Sequence, residues 1–111
     1  TQLANGIAVY GGSNNNTTDN VVSDTMRQGG GIHYANRFAS VPIAGTNLIA
    51  RNVVNRGGCL DENWQFGVGA IWFDGRDGPM TATINVNDNT VNDSIQEAVQ
   101  FIDSSVTGVT S

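Results

Sequence analysis

The side chains with chemistry to offer are few, and they fall in a pattern. Trp72 and Asp74 alternate with apolar residues in Ile71-Trp72-Phe73-Asp74, and the single histidine lies in Ile32-His33-Tyr34-Ala35. Tyr10 closes Gly6-Ile7-Ala8-Val9-Tyr10, and Gln100 lies in Ala98-Val99-Gln100-Phe101-Ile102. In an extended chain successive side chains point to opposite faces, so the polar and aromatic groups share one face and the large apolar residues the other. Such a face suits a sugar. The indole of Trp72 covers the apolar side of a ring, while Tyr10, His33, Arg37, Asp74 and Gln100 offer hydrogen bonds to hydroxyls. Laid along a flat sheet, the row makes a long shallow groove, fitted to an extended polysaccharide. The pattern expects His33 to be exposed. Trp72 either meets a ligand or is partly covered by a neighbouring loop.

Other chemistries fit less well. Asp74 and Asp77 in Phe73-Asp74-Gly75-Arg76-Asp77-Gly78-Pro79 are the most tempting pair for glycoside hydrolysis, which needs one carboxylic acid and one carboxylate. Asp-Gly and Gly-Pro are also ordinary turn chemistry, and Arg76 sits between the two. Asp61, Glu62 and Glu97 are weaker candidates. The acidic runs at 19–24 and 88–93 have oxygen ligands for calcium but no fixed loop signature, and read as solvated turns. Gly29-Gly30-Gly31 precedes a strand and not a helix, so a phosphate-cradling loop fails its context. The one cysteine, Cys59, excludes an internal disulfide and any cysteine-based zinc motif. No metal or cofactor site is expected.

The elements that must hold these groups come from a repeat. Gly6-Ile7-Ala8-Val9-Tyr10, Gly31-Ile32-His33-Tyr34-Ala35, Ala70-Ile71-Trp72-Phe73-Asp74 and Ala98-Val99-Gln100-Phe101-Ile102 interleave strictly with Asp19-Asn20-Val21-Val22, Arg51-Asn52-Val53-Val54 and Asp88-Asn89-Thr90-Val91. The first series recurs at 25, 39 and 28 residues, the lengths of solenoid turns with an insertion in the middle one, at 57–69. The repeat predicts one domain over 1–111. Its fold is a right-handed parallel β-helix of three to four coils, each of two or three short strands. Ile7, Ile32, Ile71 and Val99 form one inward file and Val9, Tyr34, Phe73 and Phe101 a second; Val22, Val54 and Val91 point inward from the other series. Asn20, Asn52 and Asn89 recur at one place in successive turns, which predicts a ladder of side-chain amides. Asn14, Asn15, Asn16, Asn85, Asn87 and Asn92 read as turn residues. The irregular stretch 38–45 leaves from the strand that carries His33.

Composition agrees. Of 111 residues, 39% are hydrophobic and 14% charged, which suits a folded chain and neither a disordered segment nor a coiled coil. Fourteen Asn, fourteen Gly, twelve Val and ten Thr are the turn formers and β-branched residues of many short strands. Five arginines and no lysine against ten acidic residues give a net charge of −5, which disfavours nucleic acid and anionic membrane surfaces. Neither 1–6 nor 104–111 reads as a solenoid cap, which points to an uncapped segment of a longer chain or to end-to-end self-association through open solenoid ends.

Asn5-Gly6-Ile7-Ala8-Val9-Tyr10-Gly11-Gly12, Gln28-Gly29-Gly30-Gly31-Ile32-His33, Asn36-Arg37-Phe38 and Asn63-Trp64-Gln65-Phe66-Gly67-Val68-Gly69-Ala70 resemble the β-helical catalytic region of glycoside hydrolase family 87. The likeness extends through Ile84-Asn85-Val86 and 97–102 to Ser104-Ser105-Val106-Thr107. That family contains α-1,3-glucanases, also called mutanases, and mycodextranases. The resemblance implies a pectate-lyase-like solenoid from a secreted bacterial enzyme, with α-glucan as its polysaccharide. It also implies that the catalytic aspartates lie on coils preceding the matched region, so no catalytic residue is carried over. His33, Asn36, Arg37, Trp64 and Trp72 would border the cleft on its C-terminal side. The expected substrate-binding set is therefore Tyr10, His33, Asn36, Arg37, Trp64, Trp72, Asp74 and Gln100, in a chain inactive by itself. A non-catalytic carbohydrate-binding solenoid and a self-stacking structural solenoid are the alternatives.

Overall fold

The computed structural model describes residues 5–25, 30–36, 41–58, 68–75, 78–95, 97–102 and 109–110. The described residues wind through thirteen short strands. The first coil carries β1 (Ile7–Val9), β2 (Gly12–Ser13), β3 (Asn16–Thr18) and β4 (Val21–Ser23), and the second carries β5 (Ile32–Ala35), β6 (Ile43–Ala44), β7 (Thr46–Ala50) and β8 (Val53–Asn55). The third carries β9 (Ile71–Asp74), β10 (Thr83–Asn87) and β11 (Thr90–Asn92), and a fourth begins with β12 (Val99–Ile102) and β13 (Val109–Thr110). Each strand pairs in parallel with its counterpart one coil away, giving sheets β1-β5-β9-β12, β3-β7-β10-β13, β4-β8-β11 and β2-β6. This is a parallel β-helix, and no helix occurs among the described residues.

The register of the first sheet follows the inward files. Ile7, Ile32, Ile71 and Val99 are partners in turn, as are Val9, Tyr34, Phe73 and Phe101. Ile32, Tyr34, Ile71 and Phe73 are fully buried and meet Val22 and Val54 from β4 and β8 and Ile49, Ile84 and Val86 from β7 and β10. No strand is long enough to hide its own apolar face, so the stacking of coils makes the core. The Tyr34 hydroxyl shares a hydrogen bond of 2.6 Å with Thr17 Oγ1, which satisfies both inside that core. Burial pushes the Tyr34 phenol pKa up, against the opposing effect of the Thr17 bond.

The asparagine ladder is present. Asn52 Oδ1 accepts from the backbone N–H of Asn20 at 3.1 Å and from its Nδ2 at 3.0 Å, and Asn89 Oδ1 accepts from the same two groups of Asn52 at 3.0 and 2.9 Å. Just before each rung Asp19, Arg51 and Asp88 adopt φ of 60°, 55° and 56°, and just after each β4-type strand Asp24, Arg56 and Asp93 adopt 64°, 54° and 57°. Left-handed backbone costs an L-residue about 1–2 kcal/mol, a cost met where the corner's hydrogen bonds demand it. The stacked corners alternate in charge. Arg51 grips Asp19 with two bonds of 2.9 and 3.1 Å, and Arg56 grips Asp24 in the same bidentate way. The carboxylates that could have offered calcium ligands at 19–24 are therefore held by arginine.

Two readings of the sequence change. The strands of the β3-β7-β10-β13 sheet, within the expected two or three per coil, were not located, and Asn16, Asn85, Asn87 and Asn92 lie in strands and not in turns. In β10, Ile84 and Val86 face inward while Asn87 stands exposed, so asparagine there is the outward half of a strand alternation. Asn15 belongs to a second ladder, its backbone N–H and Nδ2 each donating to Asn47 Oδ1 at 2.9 Å. Of the insertion at 57–69, residues 59–67 fall outside the described residues.

Candidate functional site

β1, β5 and β9 carry their outward residues in register: Ala8 beside His33, His33 beside Trp72, and Ala35 beside Asp74, with Gln100 of β12 beside Trp72. Stacking successive coils therefore delivers the His33 and Trp72 rings to one place. They lie parallel, with centroids 3.5 Å apart and 3° between planes. Tyr10 meets His33 edge-on at 5.2 Å, and its hydroxyl lies 3.2 Å from His33 Nδ1. On the opposite edge of the imidazole, Nε2 lies 3.5 Å from Asp74 Oδ2.

This face is not open to solvent as the alternation implied. His33 is 1% exposed, and Trp72 and Asp74 are 0% exposed. A period of two separates the faces of a sheet but does not say whether the outer one is covered. Trp72, expected either to meet a ligand or to be partly covered by a neighbouring loop, is fully buried. For His33 and Asp74 the expectation of open, solvated groups is corrected: both are interior residues, and His33 has an indole on one face and a carboxylate at one edge.

Asn5, which sequence reasoning left without a role, is the hub of the cluster. Its Oδ1 accepts from the Gly30 backbone N–H at 3.0 Å and from Trp72 Nε1 at 3.1 Å, and its Nδ2 stands 3.3 Å from His33 Nδ1. Two N–H groups converging on one amide atom require that atom to be the oxygen, so the amide orientation is fixed. Gly30 is needed here because a Cβ at this position would collide with the Trp72 indole and with the Gly69 carbonyl oxygen. The signal that could have found Asn5 is its place, just ahead of β1 and one coil from the glycine run that precedes β5.

The remaining members of the set are more dispersed. Gln100 is half-buried and accepts from the Gly69 backbone N–H at 2.6 Å through Oε1. Asn36 stands apart. Its Nδ2 donates to the Pro79 carbonyl at 2.6 Å and its Oδ1 accepts from the Ile43 N–H at 2.7 Å, so it staples two connections together. It also lines an open cleft of about 620 Å³ with Pro42, Ile43, Gly78, Pro79 and Thr81. Arg37, Trp64, Asp61, Glu62, Cys59 and Asp77 lie outside the described residues. Among the described residues no group of three or more His, Cys, Asp or Glu is placed to hold a metal ion.

No protein-family model and no curated protein matches the sequence. Among solved structures, the catalytic unit of a thermostable GH87 α-1,3-glucanase from Streptomyces thermodiastaticus strain HF3-3 matches with a TM-score of 0.87 and 36% identity over 96% of this chain. The similarity is to the glycoside hydrolase family 87 catalytic unit. The family resemblance carried by Asn5 to Gly12 and the other matched segments is thus borne out by the three-dimensional match. This chain spans 21% of the length of that family 87 structure.

Proposed function

We propose that this chain forms part of the polysaccharide-binding cleft of a secreted α-1,3-glucanase-like glycoside hydrolase, with the catalytic carboxylates supplied by coils outside it. The observation that carries the reading is the match, at 36% identity over 96% of the chain, to the catalytic unit of an α-1,3-glucanase. The geometry supports a division of labour. His33, Trp72 and Asp74 are interior and brace the wall. Tyr10, Asn36 and Gln100 are half-buried and are the members of the set that we assign to contact with glucan hydroxyls. Arg37 and Trp64 belong to the same proposed wall on the strength of the family resemblance.

The 111-residue chain alone is expected to release no sugar from α-1,3-glucan, while a parent enzyme that includes the neighbouring coils hydrolyses it. Hydrolysis by the isolated chain would overturn the placement of the carboxylates. In the parent, Tyr10→Phe and Gln100→Ala are each expected to raise KM about 3–10-fold, the equivalent of one hydrogen bond of about 1 kcal/mol. Unchanged kinetics in both would remove the subsite assignment. A non-catalytic carbohydrate-binding role is separated by the same material: retention of the isolated chain on insoluble α-glucan would support it.

A second reading rests on the last coil. Val99 and Phe101, on the inward side of β12, are 38% and 52% exposed, and among the described residues β12 is an edge of its sheet. Apolar edges of this kind favour end-to-end self-association. Sedimentation velocity decides it, since a monomer at high concentration removes the self-stacking solenoid.

A further inference from the structure

The hydrogen bonds around His33 have a direction. Because Asn5 Oδ1 is taken by the Gly30 and Trp72 N–H groups, Asn5 turns its Nδ2, a donor, toward His33 Nδ1. A donor facing Nδ1 requires that nitrogen to carry a lone pair. The imidazole proton then belongs on Nε2, the nitrogen that faces the Asp74 carboxylate at 3.5 Å. The four groups come from three consecutive coils: Asn5 before β1, His33 in β5, and Trp72 with Asp74 in β9. We propose that Asn5 is the positioning residue of this cluster, locking His33 as the neutral Nε2–H tautomer between the Asn5 amide and the Asp74 carboxylate.

The lock has a consequence for ligand chemistry. If Nδ1 can only accept, then the Tyr10 hydroxyl 3.2 Å away must donate to it, sharing the lone pair with the amide. The phenol proton is committed inward. The Tyr10 oxygen then meets a ligand as an acceptor, so the group it recognises is a hydroxyl that donates. That part of the inference deepens the proposed glucan-binding role and rests on it; the tautomer itself does not.

His33 is the only histidine, so the imidazole nitrogens of the uniformly ¹⁵N-labelled 111-residue chain give an unambiguous long-range ¹H–¹⁵N correlation pattern. At a pH where the ring is neutral, wild type is expected to show an unprotonated Nδ1 and a protonated Nε2. Asn5→Asp keeps an acceptor for Gly30 and Trp72 but replaces the donor to His33 with a carboxylate oxygen. Its Nδ1 signal is expected to move to the protonated position. Tyr10→Phe should leave the wild-type pattern unchanged. A protonated Nδ1 in wild type overturns the proposal, as does an Asn5→Asp pattern identical to wild type. A tautomer that inverts in Tyr10→Phe would assign the lock to Tyr10 and overturn the role of Asn5. If Asn5→Asp does not fold, wild type and Tyr10→Phe still decide. None of these outcomes depends on glucan binding, so failure here is distinct from failure of the proposed function.

Discussion

The two faces of the β1-β5-β9-β12 sheet are built on opposite principles. Inward, each coil repeats the last: Ile7, Ile32, Ile71 and Val99 in one file, Val9, Tyr34, Phe73 and Phe101 in the other. Outward, no coil repeats its neighbour, and Ala8, His33, Trp72 and Gln100 occupy one row. Repetition makes a framework because similar side chains stack at the spacing of the coils. Departure from repetition makes a site, because four different groups in one row can meet only in specific pairs, such as the imidazole lying flat on the indole.

The sharpest way to break this comparison is to truncate neighbours on opposite faces. Phe73 and Trp72 are consecutive, and both are fully buried. Phe73→Ala is expected to destabilise by about 3–5 kcal/mol, and Trp72→Ala by a similar amount despite its outward position. Chemical denaturation of the two variants checks this. A Trp72→Ala loss within about 0.5 kcal/mol, the usual scale of surface changes, would show that the outer face is open in solution.

The same contrast explains what could be read from the sequence. The inward files, the ladder of Asn20, Asn52 and Asn89 and the parallel solenoid were legible because each is a repeat, and a repeat is visible without knowing what touches what. The β3-β7-β10-β13 sheet was not, because Asn16, Asn85 and Asn87 carry turn-forming chemistry on the outward side of strands whose inward side is Thr17, Ile84 and Val86. Alternation also put Tyr10, His33, Trp72 and Asp74 on one face, and there the four side chains lie together. Their burial was not legible, because covering a sheet face is a long-range event with no local period. Asn5 left only its place one coil from the glycine run as a signal, because its role comes from two donors, Gly30 and Trp72, brought from 25 and 67 residues away.

A smaller effect sharpens the distinction between buried and exposed amides. Asn52 is fully buried; besides its two bonds to Asn20, its Nδ2 donates to the Thr17 carbonyl at 2.8 Å. Asn92 is exposed and donates to Asn55 Oδ1 at 2.8 Å. Asn52→Ala leaves a buried carbonyl and the Asn20 N–H without their side-chain partner, and is expected to cost about 2–4 kcal/mol. Asn92→Ala exposes its former partner to water and should fall within about 0.5 kcal/mol. Equal urea midpoints for the two would show that the ladder is not what holds the corner.

The smallest expected effect concerns the charged column outside the ladder, where Asp19 and Arg51 stand 61% and 54% exposed. The bidentate bond from Arg51 holds the Asp19 carboxyl below its ordinary value of 3.8, outweighing the opposing effect of desolvation, while the Arg51 charge and a bond from Thr18 lower it further. A folded-state pKa below the unfolded one contributes stability above the unfolded value, and that contribution disappears as the pH falls through the folded one. Asp19→Asn tests this without disturbing the backbone, because asparagine tolerates the φ of 60° as well as aspartate does. Wild type should exceed the variant slightly at neutral pH, with the difference shrinking as the pH falls below about 4 and shrinking also in high salt. The tight pairing of an exposed column would then set corner geometry while adding little to stability, whereas His33 and Asp74, buried one sheet away, have no solvent to screen them. A difference that persists unchanged to pH 2 would mean that Asp19 acts through its shape at the corner and not through its charge.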